Sequence, residues 1–246
     1  MIVAASREIA DGEVVFVGMR MPMLAFMVAK RLHAPRAVAY FECGLLRETL
    51  PAKLLYTLAD PAAFAGAGWA TQTTYVLGQL AAGRVDVALV GGAQVDRFGN
   101  INTTFIGDSR QPTVRLPGGG GASDFASLAG RLVLMMPHER RRFVPRVDYI
   151  TSPGYGDGNG WRERMGLPGG GPSALVTTLG LFRFNESGEA YLASYHPHAS
   201  AEQIAAETGW PLALAPDLGV TPPPTREELS IIREYDPDGF WTGRDR

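Results

Sequence analysis

The chain has 246 residues, 46% of them hydrophobic, and a formal net charge of −2. That apolar content supports a sizeable core, either one large α/β domain or two tightly packed lobes, and it argues against disorder despite 30 glycines and 18 prolines. The near-neutral charge excludes a broad nucleic-acid surface, and the densest basic run, Arg140-Arg141-Arg142, is short and flanked by Glu139 and Phe143. The single cysteine, Cys43, excludes an internal disulfide and a cysteine-based zinc cluster. No secretory leader is expected, because Arg7, Glu8, Asp11 and Glu13 precede any long apolar stretch. The run from Met21 to Ala29 is too short to span a bilayer, so the simple expectation is a cytoplasmic protein without membrane contact.

In chain order, Glu13 to Gly18 reads as a buried strand. Pro22 then precedes a helix over Met23 to Leu32, with Lys30 and Arg31 suited to its C-terminus. Next comes a second strand, from Ala37 and ending at Glu42, followed by a Cys43-Gly44 turn. Tyr75 to Ala82 is a helix closed by Gly83, and Val85 to Val90 is a strand followed by Gly91-Gly92. Arg131 to Met136 and Val144 to Ile150 are further strands, and Ala174 to Thr178 pairs with Gly180 to Phe184. Apolar β-branched runs alternating with helices imply an α/β fold with an open, mostly parallel sheet and flanking helices. The last quarter, about residues 200–246, reads as a helical extension of a single domain spanning 1–246. Ser200 caps one helix there and Thr225 opens another, across the stiff Pro222-Pro223-Pro224 connector.

Three segments can carry chemistry. Glu42 places a carboxylate at the end of an apolar strand, where chemistry collects in open α/β sheets and where a buried charge is costly without a use. The bland alternative is a structural glutamate paired with an arginine or a backbone amide. Cys43 is the rival nucleophile, but none of His33, His138, His196 or His198 sits in a nucleophile motif, so it reads as a small core residue. The second segment is Pro117 to Ala126, in which four successive glycines, Gly118 to Gly121, expose backbone amides and Ser123 or Asp124 caps a short helix. Such a junction can receive an anion or an oxyanion, although it lacks both the Walker lysine and dinucleotide-fingerprint spacing, and a flexible turn remains the alternative. The third is Gly91 to Thr104, dense in amides and hydroxyls. It suits an uncharged polar ligand such as a pantetheine amide, or else a tight turn tipped by Arg97-Phe98-Gly99-Asn100. The acidic spacing fits no calcium loop, and His196-Pro197-His198 is too isolated for a metal site, so no metal is expected.

Taken together, these motifs resemble the β-subunits of class I CoA-transferases, and among them most closely those of the glutaconate CoA-transferases. The resemblance runs over nearly the whole chain. It is carried by Ala34-Pro35 and the strand to Glu42-Cys43-Gly44-Leu45, by Gly91 to Asp96 with Gly99 to Asp108, and by Gly120-Gly121-Ala122. His138 to Phe143, and Asp148-Tyr149-Ile150-Thr151-Ser152-Pro153-Gly154 through Arg162-Glu163-Arg164 to Gly166-Leu167-Pro168, complete it. The resemblance implies the open sheet of the sugar-phosphate isomerase relatives and a partner α-subunit of the same fold, with the active site at their interface. It also implies a heterotetramer or hetero-octamer, acyl-CoA and a small carboxylic acid as substrates, and no tightly bound cofactor. The catalytic glutamate carries over to Glu42, the oxyanion-stabilising loop to Gly120, Gly121 and Ala122, and an amide contact to CoA to Asn102. The implied reaction is ping-pong, through a glutamyl-CoA thioester. The glycine-rich CoA loop of the α-subunit has no counterpart here, so the chain alone is expected to be inactive. A thioester or ring-opening hydrolase on the same scaffold, or a ligand-binding subunit without catalysis, are the competing readings.

Overall fold

The computed structural model describes residues 1–51, 53 and 55–243, and the chain divides into two compact units. The first unit comprises Ile2–Val90 together with the chain from Pro224 onward. Its elements in order are α1 (Ile2–Ser6), β1 (Val14–Val17), α2 (Met21–Leu32), β2 (Val38–Phe41), β3 (Leu45–Arg47), α3 (Pro61–Phe64), β4 (Trp69–Ala70), α4 (Thr73–Ala81) and β5 (Val87–Val90). The strands lie in the order β5-β1-β2-β3-β4. The pairs β5–β1 and β1–β2 are parallel, while β3 and β4 run antiparallel at the edge. Val87 to Val90 is buried throughout, as a strand covered on both faces must be. In α2, Pro22 occupies the first turn, where its missing N–H leaves no intrahelical bond unmade, and every residue from Pro22 to Ala29 is buried.

The second unit comprises Met1 and Gly91–Pro223. It contains β6 (Gln94–Val95), β7 (Ile101–Asn102), β8 (Phe105–Gly107), β9 (Pro112–Arg115), α5 (Ala122–Leu128), β10 (Arg131–Met136), α6 (Trp161–Arg164), β11 (Pro172–Thr177), β12 (Gly180–Phe184), β13 (Ala190–Tyr195), α7 (Ala201–Ala206) and β14 (Ala213–Val220). Strands β10-β11-β12-β13-β14 are consecutive neighbours, with β10–β11 and β13–β14 parallel and the two pairs between them antiparallel. The short hairpins β6–β7 and β8–β9 stand apart as two-stranded sheets. The last helix, α8 (Arg226–Tyr235), belongs to the first unit, where it packs on α2. Its Thr225 and Glu228 form a capping box, and Glu228 also receives Arg7 at 2.9 Å.

The chain is α/β, an open sheet of mostly parallel core strands with flanking helices, as the alternation of apolar runs and helical segments implied. Two sequence expectations fail. Val144 to Ile150 is irregular, because Pro145 has no amide to give to a ladder, and isolated bridges only flank the segment, Phe143 to Val95 and Ser152 to Ile101. The C-terminal extension is not wholly helical: α7 and α8 form where expected, but β14 lies between them, paired with β13 across a register break. Pro216 and Gly219 within β14 suppress the strand signal, and an edge position with a largely exposed surface tolerates both. The last three residues of that extension lie outside the described residues. Among the described residues, no helix is long and apolar enough to cross a membrane.

Two buried histidines lend the fold a pH dependence. His138 lies face to face with Phe143 at 3.8 Å between centroids, and the Thr177 and Thr208 hydroxyls lie 3.3 and 3.2 Å from its ring nitrogens. His196 Nε2 meets the Thr177 carbonyl at 2.9 Å. Burial pushes both pKa values down to about 4, so the unfolded chain takes up protons below its ordinary histidine pKa of 6.5 while the folded chain does not. Stability is therefore complete above about pH 6.5 and declines towards pH 4. The melting temperature should fall between pH 6.5 and 5, and the fall should be shallower in His138→Gln; a flat profile over that range would refute the assignment.

Candidate active-site residues

Glu42 sits at the tip of a hairpin, in the three-residue loop Glu42-Cys43-Gly44 that joins β2 to β3. Phe41 and Leu45 pair across the loop base, and the Gly44 amide donates to the Phe41 carbonyl at 3.0 Å. Gly44 has φ +99°, the conformation that completes such a loop and that side-chain-bearing residues rarely adopt. A second constraint acts on the same residue. The Thr71 amide donates to the Gly44 carbonyl at 2.8 Å, and a Cβ on Gly44 would overlap the Thr71 carbonyl. The carboxylate is thus mounted on a loop held from both sides, between buried Phe41 and Leu45, and is itself only half-buried. Sequence reading placed Glu42 at a strand end but missed β3 and the Thr71 strap. The apolar residues on both sides of a three-residue Glu-Cys-Gly loop are the signal that could have found the hairpin.

Cys43 behaves as a structural residue. Its thiol donates to the Leu58 carbonyl at 3.0 Å, and burial, with the nearby Glu42 adding to it, pushes its pKa up. A raised thiol pKa is the opposite of what nucleophilic activation requires.

The glycine loop and Asn102 belong to the second unit. Gly118 and Gly120 take φ +96° and +51°, and Gly121, not Ser123 or Asp124, is the residue that caps α5. Both of those polar residues lie inside its first turn. The Ala122 amide is spent within the turn, donating to the Gly119 carbonyl at 2.9 Å. Among the described residues, the amides of Gly119 and Gly120 have no hydrogen-bond partner, and Gly120 is exposed. A run of such amides with alternating backbone hand makes a concavity for an anion. Of the expected donors, then, Gly120 is open and Ala122 is committed, with Gly119 as an open neighbour that sequence reading did not select.

Asn102 is fully buried, and its side chain is saturated from within. Its Nδ2 donates to Gln94 Oε1 at 2.7 Å and to the Phe105 carbonyl at 2.6 Å, while its Oδ1 accepts from the Thr104 amide at 2.9 Å and the Phe105 amide at 3.4 Å. Two donors and two acceptors exhaust a carboxamide. The expected amide contact from this side chain to CoA does not fit that geometry, and the residue instead shapes the turn from β7 into β8. Asp96 does the same for the preceding turn, accepting from the Phe98 and Asn100 amides at 3.0 and 3.1 Å around Gly99 at φ +69°. Beside that turn the second unit holds its own cavity of about 520 Å³, lined in part by Arg97, Phe98, Arg146 and Trp161.

Sequence reasoning gave Arg162 no role of its own. It is 3% exposed, and its guanidinium donates to the backbone carbonyls of Gly169, Pro153, Gly154, Ala126 and Ser127, at 2.8 to 3.3 Å. The last two lie near the C-terminus of α5, where a cation is favoured by the helix dipole.

A family model described as Coenzyme A transferase matches residues 1–207. The chain belongs to the coenzyme A transferase family. This transferase chain is 38% identical over 235 residues to the B subunit of 3-oxoadipate CoA-transferase from Pseudomonas knackmussii, covering 95% of this chain and 90% of that protein. It is 36% identical over 242 residues to the B subunit of glutaconate CoA-transferase from Acidaminococcus fermentans, covering 96% and 90%. The solved structure of glutaconate CoA-transferase from that organism superimposes with a TM-score of 0.91 over 98% of this chain and 94% of that one. The IpdB subunit of a cholesterol ring-cleaving hydrolase from Rhodococcus jostii is 33% identical over 156 residues, 63% of this chain and 60% of that protein.

Two substitutions separate the roles assigned above. Gly44→Ala should lower stability by roughly 1–3 kcal/mol from left-handed strain alone, with the Thr71 overlap in addition, measured by denaturant titration; an unchanged midpoint would show that the loop yields. Asn102→Ala should lower the melting temperature, by the equivalent of about 1–3 kcal/mol per buried group left unpaired, with little change in the KM for acyl-CoA. A raised KM at unchanged stability would restore the direct contact to CoA.

Proposed function

We propose that this chain is the β-subunit of a CoA-transferase that moves CoA from an acyl-CoA to a small carboxylic acid, working with an α-subunit of the same fold. The observation that carries the reading is a half-buried carboxylate, Glu42, on a doubly held hairpin loop in a chain of this family. The subunit names and coverage of the two transferase relatives support the α-subunit partner, a heterotetramer or hetero-octamer being the proposed assembly, and they make short dicarboxylic and oxo acids the proposed substrate class.

In the proposed mechanism the Glu42 carboxylate attacks the thioester carbonyl of the donor. The tetrahedral oxyanion collapses to an acyl-glutamyl anhydride and releases the CoA thiolate. The thiolate attacks the glutamyl carbonyl, expels the donor acid as its carboxylate and leaves a glutamyl-CoA thioester. The acceptor carboxylate repeats the sequence in reverse: it forms a second anhydride, releases the thiolate and is then attacked by it, so that acyl-CoA departs and Glu42 is regenerated. A carboxylate nucleophile suits this chemistry because its anhydride stays reactive towards a thiol. The open backbone amides of the glycine loop, Gly120 with its neighbour Gly119, ahead of Gly121 and the turn that Ala122 closes, are the proposed oxyanion donors, each typically contributing roughly 10²–10³ in rate. CoA enters as a substrate, and no tightly bound cofactor is invoked.

The likeness to the ring-cleaving hydrolase chain supports one alternative, in which water replaces the acceptor acid. The chain co-expressed with its α-subunit and given acyl-CoA without acceptor should gain the mass of CoA on this subunit, and Glu42→Gln should abolish both the adduct and CoA transfer. Steady release of free CoA with water alone, and no adduct, would favour the hydrolase and sink the transferase reading.

A further inference from the structure

The Asp148 to Gly154 segment contains a hydroxyl that the proposed chemistry does not use. Thr151 Oγ1 accepts the Thr103 amide at 2.9 Å and lies 2.6 Å from Thr104 Oγ1. The two residues it touches are those that hold the entry to the glycine loop. The Thr103 carbonyl accepts the Gly118 amide at 2.7 Å, and the Thr104 carbonyl accepts the Leu116 amide at 3.0 Å. Thr151 also reaches the loop directly, since a Cβ built on Gly119 would come within 2.8 Å of its Cγ2 methyl. The support beneath it is firm, because the Thr151 and Ser152 amides both donate to the Ile101 carbonyl, at 2.9 and 3.1 Å, and the Ile101 amide donates to the Ser152 carbonyl at 3.0 Å.

We propose that Thr151 is a positioning residue, whose hydroxyl and methyl together set the direction of the open Gly119 and Gly120 amides. The inference rests on the proposed role of the glycine loop as oxyanion donor. Its physical basis is that a tetraglycine segment has no side chains with which to anchor itself, so its amides point where its neighbours hold them. Oxyanion donors act only when held within about 0.5 Å of the productive position. Replacing the hydroxyl by a methyl leaves the Thr103 amide without its acceptor and frees Thr104, while the side-chain volume is almost unchanged.

The test uses the chain assembled with its α-subunit and steady-state CoA transfer from acyl-CoA to a dicarboxylic acid. In Thr151→Val, kcat should fall roughly 10- to 100-fold, less than for a donor lost outright, with the KM for acyl-CoA within about twofold. Thr151→Ser, which keeps the hydroxyl, should recover most of the rate. A kcat in Thr151→Val within about twofold of the parent, or a serine variant as slow as the valine one, overturns the proposal. If Thr151→Val does not fold, Thr151→Ala removes the hydroxyl and the methyl together; it should show at least the same loss in kcat at unchanged KM, and an unchanged kcat overturns the proposal equally. A parent pair that transfers no CoA at all, with Glu42 forming no adduct, would instead overturn the function and this inference with it.

Discussion

The second unit is organised around one guanidinium. Arg162 enters the interior from α6 and gives its N–H groups to five backbone carbonyls drawn from three stretches of chain. Those carbonyls lie in irregular backbone, or past the last intrahelical bond of α5, where a ladder cannot satisfy them. A buried arginine answers them because its planar fork carries five donors at fixed angles, which lysine cannot reproduce. Burial opposes the charge and lowers the arginine pKa, so the carbonyl dipoles must replace the lost hydration. The helix held in this way, α5, is the one whose N-terminus carries the glycine loop.

Glycine serves two opposite ends in this chain. At Gly44 the backbone needs a left-handed turn and a neighbour closer than any Cβ allows, and the outcome is rigidity: the loop bearing Glu42 is closed across its base and strapped from Thr71. From Gly118 to Gly120 the absence of side chains instead uncovers the Gly119 and Gly120 amides, and order must be imported from Thr103, Thr104 and Thr151. The proposed nucleophile wants the first arrangement, because a fixed carboxylate loses little entropy on reaching the bond it attacks. The proposed oxyanion donors want the second, because only bare backbone lets an oxygen approach two successive N–H groups.

The polar interior shows where sequence reading reached its limit. Asn102 and Asp96 both lie in a segment dense in amides, and composition alone could not separate ligand contact from turn-building. The structure decides, because the capacity of Asn102 is exhausted by Gln94, Thr104 and Phe105, and Asp96 is engaged by Phe98 and Asn100. Arg162 and Thr151 were visible only as letters in a longer motif. Their roles depend in part on distant partners, Ala126 and Ser127 for Arg162 and Thr103 for Thr151, and no local periodicity encodes that pairing.

Local sequence rules were enough for the α/β class, most of the interior strands, the caps of α7 and α8, and the place of Glu42 at the end of an apolar strand. Those rules are apolar runs of strand length, capping residues at fixed offsets, and the cost of burying a charge without a use. It took the folded chain to establish that Glu42 tips a hairpin, that β14 forms despite Pro216 and Gly219, that Val144 to Ile150 stays irregular, and which glycine amides remain open. Each of these depends on whether a backbone N–H or C=O finds its partner in a distant segment, and a linear sequence does not record that pairing.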